Sequence, residues 1–118
     1  MKIIISSEGN TPESKINSRF SRAPWFMVYD SDTKTWEAFD NSSGVNTAQG
    51  AGIQAAQTVS DLNVKVVISG MMGPKAYRAL AAAHVDVYLS SSGTVQNVLD
   101  DFNAGKLKKA SANDAAGI

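Results

Sequence analysis

The sequence contains no cysteine and only one histidine, His84. Without thiols the chain can form no disulfide, no zinc–cysteine site and no thiolate-held iron–sulfur cluster of its own. A lone histidine rules out a two-histidine metal site. Charge of one sign is also missing: 11 Lys and Arg balance 11 Asp and Glu, so the basic excess of a general nucleic-acid binder is absent. No apolar run approaches the ~20 residues that span a membrane. The opening Met1-Lys2-Ile3-Ile4-Ile5-Ser6 is too short an apolar stretch for a signal peptide. The expectation is a cytoplasmic protein with neither nucleic acid nor membrane as partner, in which the Asn41-Ser42-Ser43 glycosylation triplet is a chance match.

What is present suits a single folded domain of 118 residues, with 43% hydrophobic and 19% charged residues. Ile3-Ile4-Ile5 reads as a buried strand. Trp25–Asp30 and Thr35–Phe39, joined by the turn Ser31-Asp32-Thr33-Lys34, read as a hairpin. Ile53, Ala56, Val59 and Leu62 recur along one face of a helix over 48–62. Val64–Ile68 has the near-continuous apolar character of a strand covered on both faces. Pro74 fits the first turn of an alanine-rich helix through Ala83. Val85–Leu89 is a further strand, and Thr94–Ala104 a last helix closed by Gly105. The predicted order is β-β-β-α-β-α-β-α, in an α/β mixed sheet with helices on both faces. One domain over 1–109 is expected, followed by a flexible tail over 110–118.

In such a sheet, ligands collect at the carboxyl ends of the parallel strands. Ser69-Gly70-Met71-Met72-Gly73-Pro74 and Ser90-Ser91-Ser92-Gly93-Thr94 both join a strand to a helix start. Free amides and the positive end of the helix dipole attract anions there, although either loop could be no more than a tight turn. Gln49-Gly50-Ala51-Gly52-Ile53-Gln54-Ala55 contains G-x-G-x-x-A. It lacks the preceding strand and the acidic residue ~20 positions on that dinucleotide binding requires. Arg19-Phe20-Ser21-Arg22 places two guanidiniums, which suit anions of dispersed charge, around an aromatic residue. The alternative is a solvated loop with Phe20 in the core. Met71 and Met72 offer soft sulfur or core filling. His84, at a strand entrance, reads as structural. The acids show no clustering of the kind that holds paired metals in a nuclease.

Four blocks occur in an order that resembles a known family. Arg19-Phe20-Ser21-Arg22-Ala23-Pro24-Trp25-Phe26 is similar to its R-F-G-R-A-P-aromatic-F block. Gln49 to Ala56 resembles its G-A-G block, and Ser69 to Ala76 its G-x-x-G-P-x-A block. Gly93-Thr94-Val95 and Gly105-Lys106-Leu107 resemble its closing elements. This is the dinitrogenase iron–molybdenum cofactor biosynthesis family, of the NifX and NafY type, and the similarity spans about residues 2 to 109. The resemblance implies a ribonuclease-H-like fold with a five-stranded mixed sheet. It also implies binding and delivery of a molybdenum- or iron-containing sulfur cluster. The chain is most similar to a cysteine-free, stand-alone type from sulfate-reducing bacteria, which carries a molybdenum–copper sulfide cluster without thiolate ligands. Two positions depart from the pattern. Gln49 stands where many relatives have histidine, which weakens the case for iron–molybdenum cofactor itself. Ser21 replaces the usual glycine.

The resulting expectation is a non-enzymatic carrier of an anionic metal–sulfur cluster, either molybdenum–copper sulfide or an iron–molybdenum cofactor precursor. Arg19 and Arg22 would supply counter-charge. Gln49, Gly50, Ala51 and Gly52, Ser69, Gly70 and Gly73, and Ser92, Gly93 and Thr94 would form the cradle, with Phe20, Met71 and Met72 as apolar wall. No residue is assigned to bind a metal ion directly and none to catalysis. Protein partners in a complex are expected. The alternative is an adaptor in a regulatory or cell-division complex with a vestigial pocket. A ribonuclease-H-type nuclease is disfavoured because the first strand carries no carboxylate.

Overall fold

The computed structural model describes residues 1–42, 51–90 and 92–110. β1 (Lys2–Ser7), β2 (Trp25–Asp30) and β3 (Thr35–Asp40) form an antiparallel half-sheet. α1 (Ala51–Asp61), β4 (Val66–Ser69), α2 (Pro74–Ala82), β5 (Asp86–Leu89) and α3 (Val95–Asn103) follow. β4 lies parallel to β1, with Ile4 opposite Val67, and β5 parallel to β4, with Ile68 opposite Tyr88. The sheet order is β3-β2-β1-β4-β5, with one further strand beyond β5.

The expected five strands become six. β6 (Lys108–Lys109) pairs antiparallel with β5, and Ala110 N–H donates to the Val87 carbonyl at 2.8 Å. Two lysines carry no strand propensity. They are held by backbone pairing and by the Lys109–Asp86 ion pair at 3.1 Å, which raises the lysine pKa. Ala110, expected in the tail, is therefore buried in the fold. The rest of that tail, 111–118, lies outside the described residues.

Period-two alternation sends the β1 side chains to opposite faces. Ile4, with Val28, Val67 and Val87, packs beneath α1 and α2 through Ala55, Val59, Ala76 and Leu80. Ile3 and Ile5, with Met27, Val66 and Ile68, pack beneath α3 through Val95, Val98 and Leu99. Helices thus cover both faces, as expected. α1 and α2 end alike. Asn63 and His84 adopt left-handed φ values of 57° and 61°. The following Val64 and Val85 N–H groups reach back to the Val59 and Leu80 carbonyls. This is the Schellman closure, built here without glycine.

Candidate functional site

β1, β4 and β5 run parallel, so their carboxyl ends share one edge of the molecule. The residues that follow β1 fold back across that edge. Asn17 N–H donates to the Ser6 carbonyl (2.9 Å), Ile16 N–H to that of Gly93 (3.1 Å) and Phe20 N–H to that of Met71 (3.1 Å). Bridges Ser7–Ile16, Lys15–Thr94 and Arg19–Met71 mark the same crossing. Beneath it lies a buried hydroxyl pair. Ser6 Oγ stands 3.1 Å from Ser69 Oγ and 3.0 Å from the Asn17 carbonyl, while Ser69 Oγ donates to the Met71 carbonyl at 3.2 Å. The residues on both sides of the Arg19–Met71 bridge are thereby tied to the ends of β1 and β4.

This crossing accounts for Gly70. A Cβ there would stand 2.8 Å from the Ser18 Cα and carbonyl oxygen, closer than real contacts allow. The glycine admits the protein's own backbone rather than a ligand. The Ser18–Gly70 seam divides the edge into two clefts. One, of about 410 Å³, is lined by Lys15, Ile16, Ser18, Ser92, Gly93, Thr94 and Asn97. The other, of about 300 Å³, is lined by Ser21, Gly52, Gly73, Pro74, Lys75 and Ala76.

The two clefts differ in available donors. At the start of α3, Val95 N–H donates to the Ser14 carbonyl and Gln96 N–H to that of Pro12. Asn97 N–H donates to Thr94 Oγ1, and Thr94 N–H to Asn97 Oδ1 in a reciprocal capping box. Every early amide of this helix is engaged, so Thr94 does not present the free donor the sequence suggested, while the Gly93 N–H meets no acceptor among the described residues. Gly93 answers instead to its φ of 107°, a conformation that glycine adopts without strain.

α2 is built the other way. Its N-cap is Gly73, which offers no side-chain acceptor, and N1 is Pro74, which has no N–H. Tyr77 N–H returns to the Gly73 carbonyl. The Lys75 and Ala76 N–H groups meet no acceptor among the described residues. Gly73 has an ordinary φ of −67° and nothing within 4 Å of where its Cβ would be. The protein's own packing does not require a glycine there. Gly52 is different: its Cβ would meet that of Ala76 at 3.2 Å, so it serves the close approach of α1 to α2.

A 3-10 turn, Phe20–Arg22, forms the rim of this second cleft. Phe20 is 1% exposed and stacks on Phe26 with centroids 5.4 Å apart. Met72 is 3% exposed in the same core. Neither forms the apolar wall assigned to it. Apolar periodicity had no hold on either residue, because both lie in irregular chain. Met71 is 43% exposed at the crossing. Arg19 is exposed and no carboxylate pairs with it among the described residues, while Arg22 is half-buried and has a partner. Gln49 and Gly50 lie outside the described residues, as does the side chain of Ala51.

Sequence reasoning passed over Lys75 and Asn41. Lys75 was legible as the cation following Gly-Pro at a helix start. In the sequence Asn41 stands out only as part of a glycosylation triplet. It is 3% exposed, and its amide donates to the Ala23 carbonyl at 2.8 Å, so it is not available as a glycan acceptor. Its neighbour Asp40 accepts the Ser42 N–H at 2.7 Å, and hydrogen bonds from Ser42 lower the Asp40 pKa.

The family profile described as dinitrogenase iron-molybdenum cofactor matches residues 1–105. The chain belongs to this family. The orange protein of Desulfovibrio gigas, solved in its apo form, shares 34% identity over 93% of this chain and 92% of its own, with a TM-score of 0.89. A Thermotoga protein described as a candidate NifB protein of the DUF35 family shares 32% identity over 92% of this chain and 91% of its own, with a TM-score of 0.82. An uncharacterized protein of Methanocaldococcus jannaschii is 27% identical over 112 residues, 92% of this chain and 91% of its own length.

Proposed function

We propose that this family member binds and carries an anionic metal–sulfur cluster in the Ser21–Gly52–Gly73–Lys75 cleft, without catalysing a reaction on it. The observation that carries the reading is the uncapped start of α2. Two N–H groups there lack acceptors among the described residues, and they stand beside a glycine that the packing of those residues does not need. Amides and dipole at a helix start favour an anion. Lys75 lies in the cleft, and Arg19 is exposed on the crossing beside it.

Family membership supports a metal cluster as cargo, since the iron–molybdenum cofactor in its description is one. Similarity to an orange protein points to a coloured cargo, as a molybdenum–copper sulfide would be. An iron–molybdenum cofactor precursor is the alternative. Among the described residues no three His, Asp or Glu side chains converge to hold a metal ion, so the cargo would be gripped through its sulfides. Donation from N–H groups and cations to sulfide suits a cluster whose metals are already saturated. We place this carrier in the cytoplasm, handing its cargo to protein partners. Among the described residues no helix is long and apolar enough to cross a membrane.

The test is reconstitution with tetrathiomolybdate and copper(I), followed by gel filtration. Visible charge-transfer absorption should co-elute with the chain and be lost in Gly73→Asp, which sets a carboxylate against the anion. A colourless protein peak sinks the reading.

A further inference from the structure

Asn41 lies at the end of β3, where it lines neither cleft, yet its bonds converge on the cleft rim. The Nδ2 group donates to the Ala23 carbonyl at 2.8 Å and to the Ser21 carbonyl at 3.4 Å. The Asn41 backbone N–H donates to the Pro24 carbonyl at 2.9 Å. One buried residue thus engages three of the four carbonyls from Ser21 to Pro24.

The start of the turn is tied to the crossing by the Phe20 N–H bond to the Met71 carbonyl, and Arg22 has a partner of its own. The internal bonds of the 3-10 turn are long, Arg22 N–H to Arg19 carbonyl at 3.3 Å and Ala23 N–H to Phe20 carbonyl at 3.4 Å, and no side chain caps its start. Phe20 anchors the turn from below through the core. At the far end of the turn, the Asn41 amide bonds to the Ser21 and Ala23 carbonyls bear on its rotation about that anchor. This rotation decides where Ser21 stands over Gly52 and Gly73. We infer that Asn41 is a positioning residue of the cleft: its amide locks the 20–22 turn so that Ser21 is held toward the ligand.

The residue type fits this role. Two carbonyl acceptors require a side chain with two hydrogens on one atom, and an amide at this reach supplies them. Aspartate has the same shape with acceptors only, and would face the Ser21 and Ala23 carbonyls with like polarity. Buried, such an arrangement is costly.

The inference rests on the carrier reading, and its test has one arm that does not. In the protein without cargo, Asn41→Ala and Asn41→Asp should speed amide hydrogen exchange at Arg22 and Ala23 by tenfold or more. Exchange in the β1–β4 core should slow or quicken only as global stability dictates. In the loaded protein, both variants should weaken tetrathiomolybdate–copper binding at least tenfold and shift its charge-transfer band. Val98→Ala serves as the control. It removes core volume beneath α3, on the other face of the sheet, and should lower stability without moving affinity or band. Local exchange at 22–23 that is unchanged in both Asn41 variants overturns the positioning role whatever the cargo. Affinity that follows stability alike in Asn41→Ala and Val98→Ala also overturns it. Loss of binding in wild type strikes the carrier reading instead, and leaves the exchange arm to decide Asn41.

Discussion

Glycines that look alike in the sequence do different work in the fold. Gly70 is occupied by the Ser18 backbone, so Gly70→Ala should cost about 1–3 kcal/mol by overpacking, read as a lower urea midpoint. Gly73→Ala meets open space at an ordinary φ. It should change stability by no more than about 1 kcal/mol in either direction, the loss of an N-cap glycine offsetting the gain from a less flexible unfolded chain, while weakening cargo retention in the reconstitution assay. Opposite outcomes from two substitutions three residues apart would separate folding glycine from binding glycine. Asp40 offers a test by pH. Hydrogen bonds from the Ser42 backbone and side chain lower its folded pKa. Its contribution is therefore present above the ordinary aspartate range and is lost as pH falls through the depressed value. The stability gap between wild type and Asp40→Asn should be open at neutral pH and close in acid, as followed by thermal melts.

The regular elements follow from local pattern. Ile3-Ile4-Ile5, the Trp25–Phe39 hairpin and the Val64–Ile68 run are legible because alternation or continuous apolarity reports burial directly. The elements that build the site are not, because their causes lie far off in sequence. The start of α3 is satisfied by the Pro12 and Ser14 carbonyls, some eighty residues upstream, which no reading of Gly93-Thr94 could supply. The Phe20–Arg22 turn depends on Asn41, and β6 on a strand edge that already exists. Helix ends show the same limit. Asn63 and His84 occupy left-handed positions where glycine is the usual signal. His84→Gly should stabilise the protein by about 0.5–1 kcal/mol, by removing the strain of a Cβ in that conformation. Asn63→Gly should gain less, since asparagine tolerates it better. Urea denaturation of the two variants checks the ranking.

At the scale of the molecule, one face of the sheet carries α3 and the other α1 and α2, and both helical layers bring a cleft to the same edge. Size favours the cleft beside α3, at about 410 Å³ against about 300 Å³. Donor chemistry favours the smaller, since all the early amides of α3 are spent within the chain. The seam of Ser18 against Gly70 separates the two and leaves no space for a Cβ, let alone a sulfide, between them. Stoichiometry follows from that seam. A cluster seated at the start of α2 would not extend into the other cleft, and a second would find the amides that open α3 already spent there. Titration with preformed cluster should therefore saturate at one equivalent per chain, with a single set of electronic bands and no cooperativity between sites.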